Sequence, residues 1–444
     1  MAIGIPVRKQ QIKTAANGRL PMRLEYPGKQ TVAEILATPP AQLKTLWHGS
    51  FKDNDNRLYF GENLSILAAL LNNSRVAGKV QLIYIDPPFS TQSLFQSRNL
   101  TYAYEDTLSG YHFIEFLRAR LVLLRELLAD TGSIYLHLDE KMVFQIKVIM
   151  DEVFGEQNYK NCIVRKKCNP KNYTRKQYGN ISDYILFYTK SENYIWNRPM
   201  EKWTEDRAAK EYQYTDPKTC RRYKKMPLHA PGVRQGETGK PWRGIMPPPG
   251  KHWQYTPRKL DELDARGDIY WSSNGNPLCL VYFDESHGVA IQDIWLDFRD
   301  AHNQNIKITG YPTEKNPFLI QRIIEASSNP GDLVLDCFSG SGTTLSVSSN
   351  LGRKWIGIDK SKEAICTTLQ RFSTGTDFMG DFVKSPVEKN PNLSLFNTPS
   401  CPPSTIPNAH IDFTLLAEQD CADEFQKKGG LKASSDLFST TQPR

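Results

Sequence analysis

The 444-residue sequence has no apolar run approaching the ~18 residues that span a bilayer, and its opening, "MAIGIPVRKQQIK", has no apolar core of a secretion signal. A soluble, cytoplasmic protein with no membrane association is expected. The eight cysteines, at 162, 168, 220, 279, 337, 366, 401 and 421, include no C-x-x-C pair. That argues against a zinc ribbon and a disulfide framework, so no metal site is expected. No repeat of ~20 to 50 residues is visible, which excludes solenoids and propellers. What the chain does have is 39% hydrophobic residues and length enough for two or three domains around a sizeable core.

The net charge of +8 is modest but uneven. From Lys160 to Lys259 there are 23 Lys and Arg against 8 Asp and Glu, an excess of +15 that leaves the other 344 residues at −7. The same segment holds 14 aromatic residues, in phrases such as "RKKCNPKNYTRKQY" and "PWRGIMPPPGKHWQY". Cations that neutralise phosphates and rings that pack on bases make nucleic-acid binding one reading. A solvated face over core aromatics is the other.

Residues 1 to about 47 read as a basic arm, with order beginning near Leu58. "RLYFGENLSILAALL" gives a strand at Leu58–Phe60, a Gly-Glu-Asn turn and a helix, and "VQLIYID" gives a strand buried on both faces. The helix "HFIEFLRARLVLLRELLAD", the strand "SIYLHLD" and the helix "EKMVFQIKVIMDEVFG" follow. This alternation predicts an α/β fold with a mostly parallel sheet. Beyond Asn158 the pattern breaks into short irregular pieces until about Gly310. Alternation then resumes with "EKNPFLIQRIIEASS", "LVLDCF", "TTLSVSSNLG" and "KWIGID". After about Phe372 the chain is rich in Ser, Thr, Pro and Asn, and little core is expected there.

Two strand ends carry chemistry. In "DLVLDCFSGSGTT" a strand ends at Asp336 and meets Gly340 and Gly342 before a helix, a layout that brings backbone close to a bound nucleoside. No Lys follows these glycines, so the phosphate loop G-x-x-x-x-G-K-[ST] fails, and Leu345 stands where a dinucleotide fingerprint needs glycine. Asp359, at the next strand end, is placed to accept hydrogen bonds from ribose hydroxyls. The other strand end is "LIYIDPPFS", where two prolines stop the strand and fix the backbone.

Together, "DPPF" (Asp86, Pro87, Pro88, Phe89) and "DCFSGSGTT", with the basic insert between them, resemble the catalytic and cofactor motifs of amino-directed DNA methyltransferases in β-class order. "GENL", "YPTEKNPFLIQRIIEASSNPGD" and "GRKWIGIDKS" match the same family, over roughly residues 57 to 160 and 310 to 370. The resemblance implies a Rossmann-like methyltransferase fold with circularly permuted motif order. It implies a basic arm at 1–47, a catalytic half at 48–158, an inserted target-recognition region at 159–310, a cofactor half at 311–372 and a polar extension at 373–444. S-adenosylmethionine is the implied cofactor and double-stranded DNA the implied partner, with room for a restriction endonuclease partner and for a homodimer.

By the same resemblance, Asp336, Phe338, Ser339, Gly340, Ser341, Gly342 and Thr343 cradle the methionine part of the cofactor and Asp359 holds its ribose. Glu62 contacts its adenine, while Thr313 and Lys315 lie near its carboxylate. Cys337 stands where the family often has Pro, and Asn316 interrupts a Glu-Lys-Pro run.

The chemistry of "DPPF" follows from the substrate. An exocyclic base amine is a poor nucleophile because its lone pair is delocalised into the ring. The Asp86 carboxylate and Pro87 carbonyl can each accept one of its N–H groups and localise that pair. Phe89 offers a face to a flipped base. In the family it resembles, an acid in first place goes with adenine N6 and a serine with cytosine N4, so the resemblance implies adenine, with cytosine N4 the alternative. A catalytically inactive nucleic-acid-binding homologue would predict damaged motifs; methylation of RNA or of a protein glutamine amide uses the same acceptor logic and is disfavoured by the large basic insert, which a protein substrate would not require. For DNA contact, the cluster Arg221, Arg222, Lys224 and Lys225 is the expected source of phosphate neutralisation.

Overall fold

The computed structural model describes residues 22–49, 55–88, 94–96, 102–105, 110–170, 176–286, 288–300, 309, 311, 314–376 and 412–427. Phe89 and Thr313 lie outside the described residues, as do 1–21 of the expected arm and 377–411 of the expected extension. The chain forms two compact units, one of residues Arg198–Ile291 and the other built from the segments on either side.

The larger unit is organised by a ten-stranded sheet. Its strands are β1 (Leu43–His48), β2 (Arg57–Phe60), β3 (Val80–Ile85), β4 (Leu128–Leu138), β5 (Tyr159–Lys166), β6 (Ser182–Thr189), β7 (Ile294–Trp295), β8 (Leu333–Asp336), β9 (Lys354–Asp359) and β10 (Thr414–Glu418). Their order across the sheet is β1-β10-β2-β9-β8-β3-β4-β6-β5-β7. The six strands from β10 to β4 run parallel to one another, while β1 pairs antiparallel with β10, β6 with β4, and β5 with β6.

Six consecutive buried residues make β3 a central strand, as its unbroken apolar run requires. Helices α1 (Val32–Leu36), α2 (Asn63–Leu71), α3 (Tyr111–Leu127), α4 (Val143–Phe154), α5 (Pro317–Ser327), α6 (Thr343–Asn350), α7 (Lys362–Thr374) and α8 (Gln419–Lys427) complete the unit. The main core collects Ile66, Leu67, Ile83, Leu117, Leu121, Leu124, Ile134 and Ile146 between the sheet and α2, α3 and α4. The expected α/β architecture with a mostly parallel sheet is therefore present.

Three expectations are corrected. Order does not begin near Leu58: Ile35 is buried, and β1 is a sheet strand within the expected arm. The stretch expected to be an insert from residue 159 begins later, because β5 and β6 are strands of the central sheet. β5 escapes a hydrophobic reading because it carries a fully buried Arg165 held by acids. Finally, the tail expected to lack a core supplies β10, which lies between β1 and β2 and buries Phe413, Leu415, Ala417 and Ala422 with Trp355.

The smaller unit has a four-stranded antiparallel sheet in the order Tyr214–Thr215, Arg222–Pro227, Pro277–Tyr282, Ile269–Trp271. Its core packs Trp242 and Trp253 with Leu228, Leu260, Leu263 and Ile269. No helix among the described residues is long and apolar enough to cross a membrane.

Candidate active site

Asp86, Pro87 and Pro88 leave the carboxyl end of β3, where sheet pairing has stopped and the missing proline donors cost nothing. Pro87 is buried, and Asp86 and Pro88 are half-buried. Asp86 Oδ2 lies 2.6 Å from Lys315 Nζ. Asp86 Oδ1 is buried and has no hydrogen-bond partner. One oxygen is thus committed to a cation while the other remains an open acceptor.

The glycine loop follows β8. Phe338 N–H donates to Asp336 Oδ1 at 3.0 Å, and Gly340 N–H donates to Asp359 Oδ2 at 2.8 Å, so the two strand-end acids shape the loop between them. Ser361 N–H donates to the other Asp359 oxygen at 2.8 Å. Gly342 sits at φ +74° as the cap of α6, and a Cβ there would stand 2.8 Å from the Thr368 side chain. A branched residue is therefore excluded twice, by conformation and by space. Gly340 is at φ +49° beside the Tyr311 ring.

Arg371 ties down the far side of the loop, donating to the Ser341 carbonyl at 2.6 Å and to Thr343 Oγ1 at 3.2 Å, and pairing with Glu314. Ser339 Oγ is buried without a partner. Burial raises the Asp336 carboxyl to about 7 and the Asp359 carboxyl to about 6. Buried acids short of cations, an orphaned hydroxyl and backbone open to close approach fit a polar, cationic nucleoside such as S-adenosylmethionine.

Glu62 opens α2 and accepts from Leu64 N–H. Its Oε1 lies 2.5 Å from Arg120, whose Nε donates to Asn63 Oδ1, and Asn63 in turn donates to the Cys337 carbonyl at 2.8 Å. Burial works to raise the Glu62 carboxyl, but Arg120 and Lys360 hold it below its ordinary value. The Arg120 guanidinium lies 3.5 Å from the centre of the Phe116 ring, and Phe116 and Phe338 are 6.1 Å apart. The structure thus joins the Gly-Glu-Asn turn to the glycine loop through Asn63, with Arg120, which sequence reasoning missed, bracing the turn.

A buried polar row beyond Asp86 was missed as well. The β3–β4 register pairs Tyr84 with Tyr135, which sets Asp86 level with His137 on the same face. The Tyr84 hydroxyl lies 2.9 Å from His137 Nδ1, and His137 Nε2 lies 3.3 Å from Asp183 Oδ2. Arg165 NH1 lies 3.1 Å from Asp183 Oδ2, and Lys167 Nζ lies 3.1 Å from Oδ1. Burial works to raise Asp183, but the His137 hydrogen bond and the Lys315 and Lys167 charges hold it well below the carboxylate range. Burial, with Lys315 nearby, lowers His137. Asp183 therefore accepts, His137 Nε2 carries the hydrogen, and Nδ1 accepts from Tyr84. The signal in the sequence was a histidine at the carboxyl end of a buried strand, alternating with Tyr135.

In the smaller unit the expected DNA cluster is engaged internally. Arg221 pairs with Asp284 at 2.8 Å, Arg222 with Glu205 at 2.6 Å and Lys224 with Glu211 at 3.1 Å. Lys225 lies 3.5 Å from the centre of the Tyr270 ring, and Arg221 lies 4.0 Å from that of Tyr282.

Comparison with known proteins agrees with this geometry. The family model described as DNA methylase matches residues 80–370. The chain is 46% identical over 377 residues to the type II methyltransferase M.EcaI of Enterobacter cloacae, covering 84% of this chain and 82% of that one. It is 27% identical over 360 residues to the type III restriction-modification enzyme StyLTI Mod subunit of Salmonella typhimurium, covering 71% and 52%. Over 103 residues it is 40% identical to the DNA adenine methyltransferase YhdJ of Escherichia coli K12, covering 23% and 35%. The chain therefore belongs to the N6/N4 DNA methylase family, enzymes that methylate DNA with S-adenosylmethionine as donor.

Proposed function

We propose that the protein methylates adenine N6 at a specific sequence in double-stranded DNA, as the modification partner of a restriction endonuclease. The observation that carries this reading is Asp86, an acid with one buried oxygen left open at the end of β3. S-adenosylmethionine, when bound, supplies an electrophilic methyl group. Asp86 Oδ1 accepts one N–H of the target amine and the Pro87 carbonyl accepts the other, drawing the nitrogen toward tetrahedral geometry and stabilising its developing positive charge. Asp336, Ser339 and Asp359 hold the donor, with Glu62 at its adenine. Lys315, expected near the donor's carboxylate, lies 2.6 Å from Asp86 Oδ2.

An acid at the first motif position supports adenine over cytosine, as does the similarity to the DNA adenine methyltransferase YhdJ. For the smaller unit we propose DNA contact through its basic and aromatic surface, with Arg221, Arg222 and Lys224 exchanging carboxylates, and Lys225 its aromatic rings, for phosphates. Modification-aware sequencing of DNA from cells expressing the protein tests the reading. N6-methyladenine at one recurring sequence is expected, absent with Asp86→Ala. N4-methylcytosine at that sequence would replace adenine by the alternative.

A further inference from the structure

The two oxygens of Asp86 are equivalent in the free side chain, and the fold makes them different. Oδ2 has Lys315 Nζ at 2.6 Å, while Oδ1 is buried and open. Both side chains are largely withdrawn from water, 11% exposed for Lys315 and 17% for Asp86, where an ion pair is directional and weakly screened.

Lys315 is delivered from a fixed backbone. After it comes Asn316, which is fully buried and caps α5 by accepting from Phe318 N–H at 2.9 Å, with Pro317 opening the helix. Before it comes Glu314, paired with Arg371 and accepting from Thr309 N–H at 2.9 Å. The residue that interrupts the Glu-Lys-Pro run is thus the cap that fixes where the lysine stem begins.

We propose that Lys315 is a positioning residue for methyl transfer: it holds Asp86 by Oδ2 so that Oδ1 alone meets the target amine, and its ammonium is not a cofactor ligand. This deepens the amino-methylation reading given above and rests on it. With Lys315 in place the carboxylate cannot swing about its terminal bond, and the accepting lone pair keeps one direction through the reaction. Without it, the carboxylate samples orientations in which neither oxygen meets the amine, which lowers the rate at saturating substrate while leaving the donor pocket intact.

The test uses the full chain with Lys315→Met and Lys315→Arg. Methyl transfer to DNA from an unmodified host is followed in a single turnover at saturating S-adenosylmethionine, and cofactor affinity is measured separately by calorimetry. Lys315→Met is expected to slow transfer by about 10²-fold with cofactor Kd changed less than about twofold, and Lys315→Arg to recover at least about tenfold of that loss. Melting temperature adds a readout independent of activity: Lys315→Met should lower Tm in the wild-type background and have no such effect beside Asp86→Asn. A cofactor Kd weakened by about tenfold or more, a transfer rate left unchanged, or equal Tm losses in both backgrounds would overturn the proposal. A wild-type protein that binds S-adenosylmethionine but methylates no DNA would instead defeat the proposed function, while the Tm cycle would still report on the pair.

Discussion

Asp336 and Asp359 are buried acids held by backbone N–H groups, and burial raises both carboxyls. Arg221, Arg222 and Lys224 in the smaller unit lie near the surface, each already paired with a carboxylate. The two strand-end acids carry no ion pair among the described residues and lie where a ligand can complete them, whereas the three cations are paired where water would have screened them anyway. A segment's net charge therefore says less about binding than the number of its charges that lack a partner. In the larger unit Asp336 and Asp359 end their strands.

The sharpest break of this contrast is at Asp86. Asp86→Ala should lower methyl transfer by about 10²- to 10³-fold while cofactor Kd stays within about twofold, because the lost acceptor faces the amine. Transfer near the wild-type rate would remove Asp86 from the chemistry. Next come the glycines: Gly342→Val combines a left-handed backbone with a Thr368 clash and should weaken cofactor binding by about 30-fold, or lower stability by about 2 kcal/mol. Gly340→Val, with Tyr311 at ordinary contact distance, should act in the same direction and less. Calorimetry with both variants would reveal a reversed order, which would shift the close approach from Gly342 to Gly340.

Acid pH gives a gentler probe. If the donor binds ionised Asp336 and Asp359, whose carboxyls protonate near about 7 and about 6, affinity is full at pH 8 and is lost as pH falls through those values. Kd should rise about 10- to 20-fold between pH 8 and pH 6. Asp336→Asn should remove the step near 7, and a flat profile in the wild type would mean that the acids bind the donor uncharged.

The smallest effect is expected from the smaller unit. Replacing Arg221, Arg222, Lys224 and Lys225 by Gln should flatten the log-log salt slope of DNA binding by at most about 1, since these side chains must first leave acids and rings. A change near 4 would show that all four make that exchange.

Sequence patterning succeeds where a strand is apolar throughout, as in β3, and where glycines and acids sit at fixed offsets, as from Asp336 to Thr343. It fails at β5, whose "YKNCIVRK" hides Ile163 and a buried Arg165 among exposed-looking cations. The arginine becomes a core residue through Asp183, Asp300 and the Phe298 carbonyl, which arrive from 18, 135 and 133 residues away. At β10 the missing information is again the partner: "TLLAE" is too short to stand out, and β1 and β2 on either side make it a strand. Lys315 is likewise informative as a charge, while its target depends on where α5 begins.

The position of β10 also sets an order of manufacture. Residues 414–418 fill the gap between two strands made more than 350 residues earlier, and Glu418 then accepts from Glu62 N–H at 2.7 Å and bonds the Ser65 hydroxyl. While the ribosome is still at work, β1 and β2 have unpaired edges and the turn at Glu62 lacks that anchor. Stop codons placed between 376 and 412 would leave every proposed catalytic and cofactor residue in the polypeptide. The nascent chain would still be released with an open sheet edge, prone to pair with its neighbours on the polysome before it could form its pocket.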